Sequence, residues 1–253
     1  MLFPIFASLS LLVASAAASP TPILEARAAT TTVYMRIEGP TKTIFEQTIY
    51  PTVQNTLTNN GHTATCNGTP KTAAGVTSLV ALQQTGQYFE AKWNGSTFGG
   101  ITKLNGTSNT APNLWHSLFN NNANGGTDGF TQQGAGYEYY CSQTLPSGQH
   151  FLFAYFDDID ETNILIMSGP KTATVGSTVK YAVPYARGST YVNDLSVDTT
   201  VGQSVYGEYS GDNDNADSTV SITFTKPGTY NMKAHCPTGS ACVRSNHVVT
   251  VVS

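Results

Sequence analysis

Beyond Asn163 the chain is a succession of short runs in which apolar and polar residues alternate, each cut off by Gly, Pro, Ser or Asn. A period of two buries one face of a strand, and runs this short leave no room for a helix. Ile164, Leu165, Ile166 and Met167 stop at Ser168-Gly169-Pro170, while Val179, Tyr181 and Val183 point one way. Val220, Ile222 and Phe224 are separated from Tyr230, Met232 and Ala234 by Lys226-Pro227-Gly228. That stretch reads as a hairpin, because Pro and Gly suit the middle of a type II turn. Asn246 to Val252 makes a last strand, and about seven strands in roughly 90 residues is the count of a β-sandwich.

Residues 30–158 read as strands with one helix. Val33, Met35 and Ile37 alternate until Gly39-Pro40, and Thr43 to Ile49 is a second strand. Val76, Leu79 and Val80 recur at helical spacing, which predicts a helix between Ala73 and the stop at Gly86. Tyr88 to Trp93 and Phe98 to Leu104 are short strands, and Asn120 to Gly129 is a polar, Gly-rich loop. Tyr137 to Cys141 and His150 to Phe156 are strands around the turn Leu145-Pro146-Ser147-Gly148.

The N-terminus predicts an extracellular address. The apolar run from Leu2 to Val13 leads into Ala14-Ser15-Ala16-Ala17-Ala18, the pattern of a signal peptide over residues 1–18, and it is too short to span a bilayer. Residues 19–29 either resemble a fungal pro-segment trimmed after Arg27 or form a plain flexible leader. No further stretch predicts a membrane span, so the product is expected to be secreted, released or held in a cell wall. Charged residues are only 11% of the chain, with twelve Lys and Arg against sixteen Asp and Glu. That balance leaves no basic reserve for phosphates, which argues against nucleic acid as a partner.

The four cysteines fit an oxidising compartment. Cys236 and Cys242 flank turn formers, which pairs them and leaves Cys66 to Cys141. Chain-entropy arithmetic assigns about 4 kcal/mol to the long loop and about 2 kcal/mol to the short one. Three sequons, at Asn67, Asn94 and Asn105, each with Gly in the middle, predict glycans on surface turns.

Candidates for chemistry are sparse. Asp157, Asp158, Asp160 and Glu161 offer hard oxygen ligands for Ca²⁺, or else form a solvated linker that holds two domains apart. The run from Asp212 to Asp217 lacks the Gly and Glu of an EF-hand loop and reads as a polar turn. The five histidines show no metal-ligand spacing, no nucleophile elbow occurs, and no spacing nominates a carboxylate pair among Glu38, Glu46, Glu90 and Glu138. A catalytic residue is therefore not predicted, and neither is a cofactor. The aromatics Trp115, Tyr137 and Tyr139, in a run too dense for one strand face, are candidates for stacking on a sugar or other small ligand.

Val33-Tyr34-Met35-Arg36-Ile37-Glu38-Gly39-Pro40 with Phe45-Glu46, then Trp115, then Leu145-Pro146-Ser147-Gly148-Gln149-His150-Phe151-Leu152-Phe153-Ala154-Tyr155, resemble the small secreted β domain related to the C-terminal domain of transcobalamin. Ile166-Met167-Ser168-Gly169-Pro170-Lys171, Phe224 to Tyr230 and Val243 to Val249 resemble the immunoglobulin-like module that follows it in bacterial surface proteins. The resemblance implies a mostly β chain: a β-grasp-like domain with one helix over 30–158, then an immunoglobulin-like β-sandwich over 159–253. It implies no cobalamin site and carries over no catalytic residue. The expectation is a secreted, glycosylated, non-catalytic wall or surface protein that binds a cell-wall polysaccharide or small ligand. The alternatives are a purely structural or adhesive protein and a hydrolase with an unrecognised site.

Overall fold

The computed structural model describes residues 31–68, 75–95, 97–120, 131–132, 140–157, 162–183, 196–199, 205–206, 208–209, 219–235 and 242–253. It is mostly β, with one short helix and several small sheets. The first unit runs β1 (Val33–Glu38), β2 (Thr43–Ile49), β3 (Thr56–Asn59), β4 (His62–Thr65), α1 (Ser78–Gln84), β5 (Phe89–Asn94), β6 (Thr97–Leu104), β7 (Thr107–Ser108), β8 (Leu114–Asn120), β9 (Thr131–Gln132) and β10 (Gln149–Phe156). Its main sheet has the order β2-β1-β10-β8-β9, with β1 and β10 parallel at the centre and the other pairs antiparallel. Parallel neighbours require a crossover, and here everything from β2 to β9 forms it.

One face of this sheet is apolar by alternation. Val33, Met35 and Ile37 of β1 and Phe151 and Phe153 of β10 pack against Leu79 and Leu82 of α1 and Phe98, Ile101 and Leu104 of β6. The helix is shorter than the sequence spacing predicts. The hydroxyl of Thr77, at its N-cap, donates to the Cys66 carbonyl at 3.5 Å instead of capping the helix. Gly86, at φ +74°, ends it. A disulfide joins Cys66 to Cys141 across this core. Two Asn-Gly pairs make the tight hairpin turns that need positive φ at both positions: Asn60-Gly61 between β3 and β4, and Asn105-Gly106 between β6 and β7.

The second unit runs β11 (Asn163–Ile164), β12 (Thr172–Ala173), β13 (Thr178–Ala182), β14 (Ser196–Thr199), β15 (Val205–Tyr206), β16 (Glu208–Tyr209), β17 (Thr219–Thr223), β18 (Gly228–His235), β19 (Cys242–Val243) and β20 (Val248–Val252). Two sheets, β12-β20-β18-β14-β15 and β13-β17-β16, share one core, to which Tyr181, Val220, Ile222 and Phe224 come from one side and Tyr230, Met232, Ala234 and Val252 from the other. The hairpin expected around Lys226-Pro227-Gly228 does not form. β17 pairs with β13 and β16, whereas β18 pairs with β14 and β20. The chain crosses from one sheet to the other there, and Phe224 and Tyr230 meet across the core with ring centroids 4.7 Å apart and planes tilted by 56°. Both runs keep the expected alternation; their buried faces point at each other instead of lying side by side. The expected strand from Ile164 to Met167 is cut to its first residue, and Met167 is held by the Asn246 amide, which accepts from its N–H at 3.0 Å and donates to its carbonyl at 2.9 Å.

The two units are packed together. The second face of the main sheet, two-fold out of step with the first, meets β11, β18 and β19. Leu118, Leu152, Ala154 and Phe156 bury themselves against Ile164, Ile166 and Val243. Among the described residues no helix is long and apolar enough to cross a membrane.

Candidate binding cleft between the two units

The register of the main sheet sorts the second face into rows. Arg36 of β1 lies beside Glu46 of β2 and Leu152 of β10, Glu38 lies beside Thr43 and Ala154, and Tyr34 lies beside Thr48 and His150. Polar residues thus collect on the β2–β1 side and apolar ones on the β10–β8 side. A register shift between Ile37 and Glu38 brings Glu38 opposite Thr43. From the second unit, Asn231 and Lys233 project from β18 on the face opposite Tyr230, Met232 and Ala234.

The charges meet where these surfaces join. The Lys233 ammonium donates to Glu38, to Thr43 Oγ1 at 2.6 Å and to Glu46 Oε2 at 3.0 Å. Arg244 donates from Nε and Nη2 to Glu38 Oε2 at 3.1 and 2.9 Å, and from Nη2 to the Gly39 carbonyl at 2.7 Å. The His247 N–H and Nδ1 each lie 2.7 Å from Glu46, on Oε1 and Oε2 respectively. Because a carboxylate only accepts, Nδ1 carries the proton in that bond. Glu38, Lys233 and Arg36 are 1%, 3% and 5% exposed.

Burial and pairing oppose each other in this network. Burial alone would raise the Glu46 carboxyl, but the His247 hydrogen bond and the charges of Arg36 and Lys233 outweigh it and hold the group down at about 2. Burial pushes Lys233 below its ordinary value against the pull of Glu38, and it lowers Arg36 against the pull of Glu38 and Glu46. Lys233 depends on Glu38 and Glu46 of the opposite unit to be tolerated out of water, whereas Arg36 finds its counter-charges, the same two carboxylates, within its own unit.

Beside the network a cleft of about 480 Å³ opens between the units. Tyr34, Arg36, Glu46 and His150 line it from one side and Asn231 and His247 from the other. Tyr34 is 39% exposed and its ring stacks on His150, with centroids 4.4 Å apart.

The residues singled out from the sequence fall elsewhere. Trp115 is a core residue, 5% exposed, and is not available as a stacking platform. Its indole N–H is spent on the Thr107 carbonyl at 2.8 Å, and its ring packs on Tyr155. The alternation that carries Val33 and Phe151 inward carries Trp115 with them. Tyr137 and Tyr139 lie outside the described residues, as do Asp158, Asp160 and Glu161. Asp157 is exposed, and its carbonyl accepts from His116 Nε2 at 3.2 Å. Among the described residues no three His, Cys, Asp or Glu gather as they would for a metal. Asn94 and Asn105 are exposed at hairpin turns, and Asn67 is half-buried near the disulfide. Cys242 is itself in a disulfide; Cys236, its expected partner, lies outside the described residues.

Sequence reasoning passed over the cleft although its parts were visible. Arg36 and Glu38 stand out of phase with Val33, Met35 and Ile37, which marks a polar strand face. Only the pairing of β1 between β2 and β10 shows that such a face is central and must be covered. The arrangement is that of a two-unit β protein with a charged joint and an adjoining cleft. No protein-family model matches the chain, and comparison with curated proteins gives no match.

Proposed function

We propose that this chain is a secreted, glycosylated, non-catalytic surface or wall protein that binds a glycan or small ligand, and that its binding site is the cleft between the two units. The observation that carries the reading is the cleft itself: about 480 Å³, with a half-exposed ring on one wall and polar side chains from both units around it. Binding sites favour such junctions, where a flat apolar surface and a few placed polar groups converge. A sheet with a parallel central pair, an antiparallel strand on each side and one helix on a single face supports a β-grasp-like first domain of the transcobalamin C-terminal kind. Two sheets sharing one core support an immunoglobulin-like second domain. Burial of Trp115 favours the structural or adhesive alternative for that part of the first unit, but not for the cleft.

The test is retention of the full chain on cell-wall polysaccharides and their oligosaccharides, with Tyr34→Ala as the probe. Tyr34 is exposed enough that the variant should melt like the parent while binding several-fold more weakly, since an aromatic contact is worth about 1 kcal/mol. Unchanged binding by the variant would move the site away from the cleft, and no binding by the parent would leave the structural reading.

A further inference from the structure

We infer that Asn105 carries an N-linked glycan whose first sugar packs on the exposed ring of Tyr88, which makes the outer face of the β5–β6 pair a seat for N-acetylglucosamine. This rests on the chain being the secreted glycoprotein proposed above. Asn105 and Gly106 form the turn between β6 and β7, both at positive φ, and Asn105 is exposed with Thr107 two residues on. Phe89 pairs with Leu104, and both point inward at 3% and 0% exposure. The next pair is Tyr88 with Asn105, whose N–H donates to the Tyr88 carbonyl at 2.8 Å. Successive side chains alternate between faces, so this pair projects to the outside. Cross-strand neighbours of this kind have Cβ atoms about 5 Å apart.

The ring is held ready for such a contact. Tyr88 is 55% exposed, yet its hydroxyl donates to Glu90 Oε1 at 2.9 Å and the Lys103 ammonium lies 5.9 Å from its ring centroid. Lys103 in turn donates to Glu90 at 2.9 Å. These contacts keep the ring beside the row that Lys103 and Asn105 make on the neighbouring strand. A sugar linked to the Asn105 amide nitrogen begins two bonds from Cβ, within reach of that ring, and turns toward it an apolar face of C–H bonds. Because the sugar is tethered, the contact costs no association entropy and a weak attraction suffices. The other two sequons are placed differently: Asn94 sits opposite Thr97 instead of a ring, and Asn67 is half-buried near the disulfide.

The test compares thermal melts of four full chains made in a secreting eukaryotic host: the parent, Thr107→Val, Tyr88→Ser and the double variant. Mass spectrometry of glycopeptides reads which sequons are occupied. Val keeps the branched shape of Thr107, and the backbone carbonyl that holds the Trp115 indole stays, while the hydroxyl that the sequon requires is lost. Thr107→Val should lower the melting midpoint by about 2–4 °C more when Tyr88 is present than in the Tyr88→Ser background, whatever the substitution costs by itself. In the parent, the N-acetyl methyl of the Asn105 glycan should resonate upfield of that on Asn94, through the ring current of Tyr88. This second measurement decides should Tyr88→Ser not be secreted. Equal midpoint shifts in both backgrounds, or coincident methyl resonances, overturn the packing and leave the glycoprotein reading standing. Asn105 found bare while Asn94 is occupied overturns the inference alone. Glycans at none of the sequons overturn the inference and that reading together.

Discussion

On one face of the β2-β1-β10-β8 sheet, Val33, Met35 and Ile37 meet α1 and the β5–β7 strands in an apolar cluster stapled by Cys66–Cys141. On the other face, Tyr34, Arg36 and Glu38 of the same strand meet the second unit through a ring stack, a buried ionic network and an adjoining apolar patch. The first face is built within one unit from apolar side chains, and such packing tolerates small errors of fit. The second is built from residues nearly 200 positions apart, and it is conditional: each buried charge is stable only while its counter-charge is in place. Such a contact fixes the angle between units more strictly than hydrophobic packing does, because ion pairs and hydrogen bonds have preferred directions.

The comparison can be broken most forcefully at Glu38. Removing this carboxylate by Glu38→Ala takes from Arg244 its carboxylate partner and leaves the buried Lys233 with Glu46 alone, so unfolding free energy should fall by about 3–5 kcal/mol, measured by denaturant titration. A loss below about 1 kcal/mol would show that the network behaves like a solvated surface pair.

Acid sharpens it next. Glu46 sits at about 2 in the folded chain against an ordinary value of 4.5. A carboxylate depressed by folding stabilises the fold above its ordinary value and loses that contribution as the pH falls through its folded value. The loss should therefore run from pH 4.5 down to about 2 and amount to roughly 3 kcal/mol. In Glu46→Gln the same titration should lack this limb; an identical acid limb in both proteins would assign it to other groups.

The smallest effect is expected at Glu90. Its bond to Lys103 is 2.9 Å, as short as those in the joint, but both side chains are about one-third exposed. Glu90→Gln should leave the melting temperature unchanged, since water already serves both charges. A clear shift would mean that distance, not burial, decides the strength of these pairs.

How far the molecule was legible from its sequence follows the same division. The strand from Thr43 to Ile49 matches its expected bounds, and Val33, Met35, Ile37, Phe151 and Phe153 point where a period of two sends them. The expected pairing of Cys66 with Cys141 is present. Asn60-Gly61, flanked by alternating residues, carried a hairpin signal that the expectations above pass over. The Pro227-Gly228 hairpin failed for a different reason. Alternation specifies which side chains face inward but not whether two inward faces lie in one sheet or oppose each other across two. The site was out of reach on the same grounds. Arg36 and Glu38 announce a polar face, yet nothing within reach of β1 tells a solvated face from one covered by Lys233 and Arg244, because those residues come from the far end of the chain.

Glu38 and Arg244 are 206 positions apart, and Glu46 and His247 are 201. At roughly 5–20 residues per second of synthesis, a strand made early waits about 10–40 s before its counter-charges leave the ribosome. Through that interval the apolar half of the sheet can fold, while the other half presents unmatched acid beside bare leucine. Lys233, Arg244 and His247 therefore complete a face begun by Glu38 and Glu46. A chain cut short of Arg244 would carry a finished first core with an uncovered, sticky side, the kind of surface that chaperones grip.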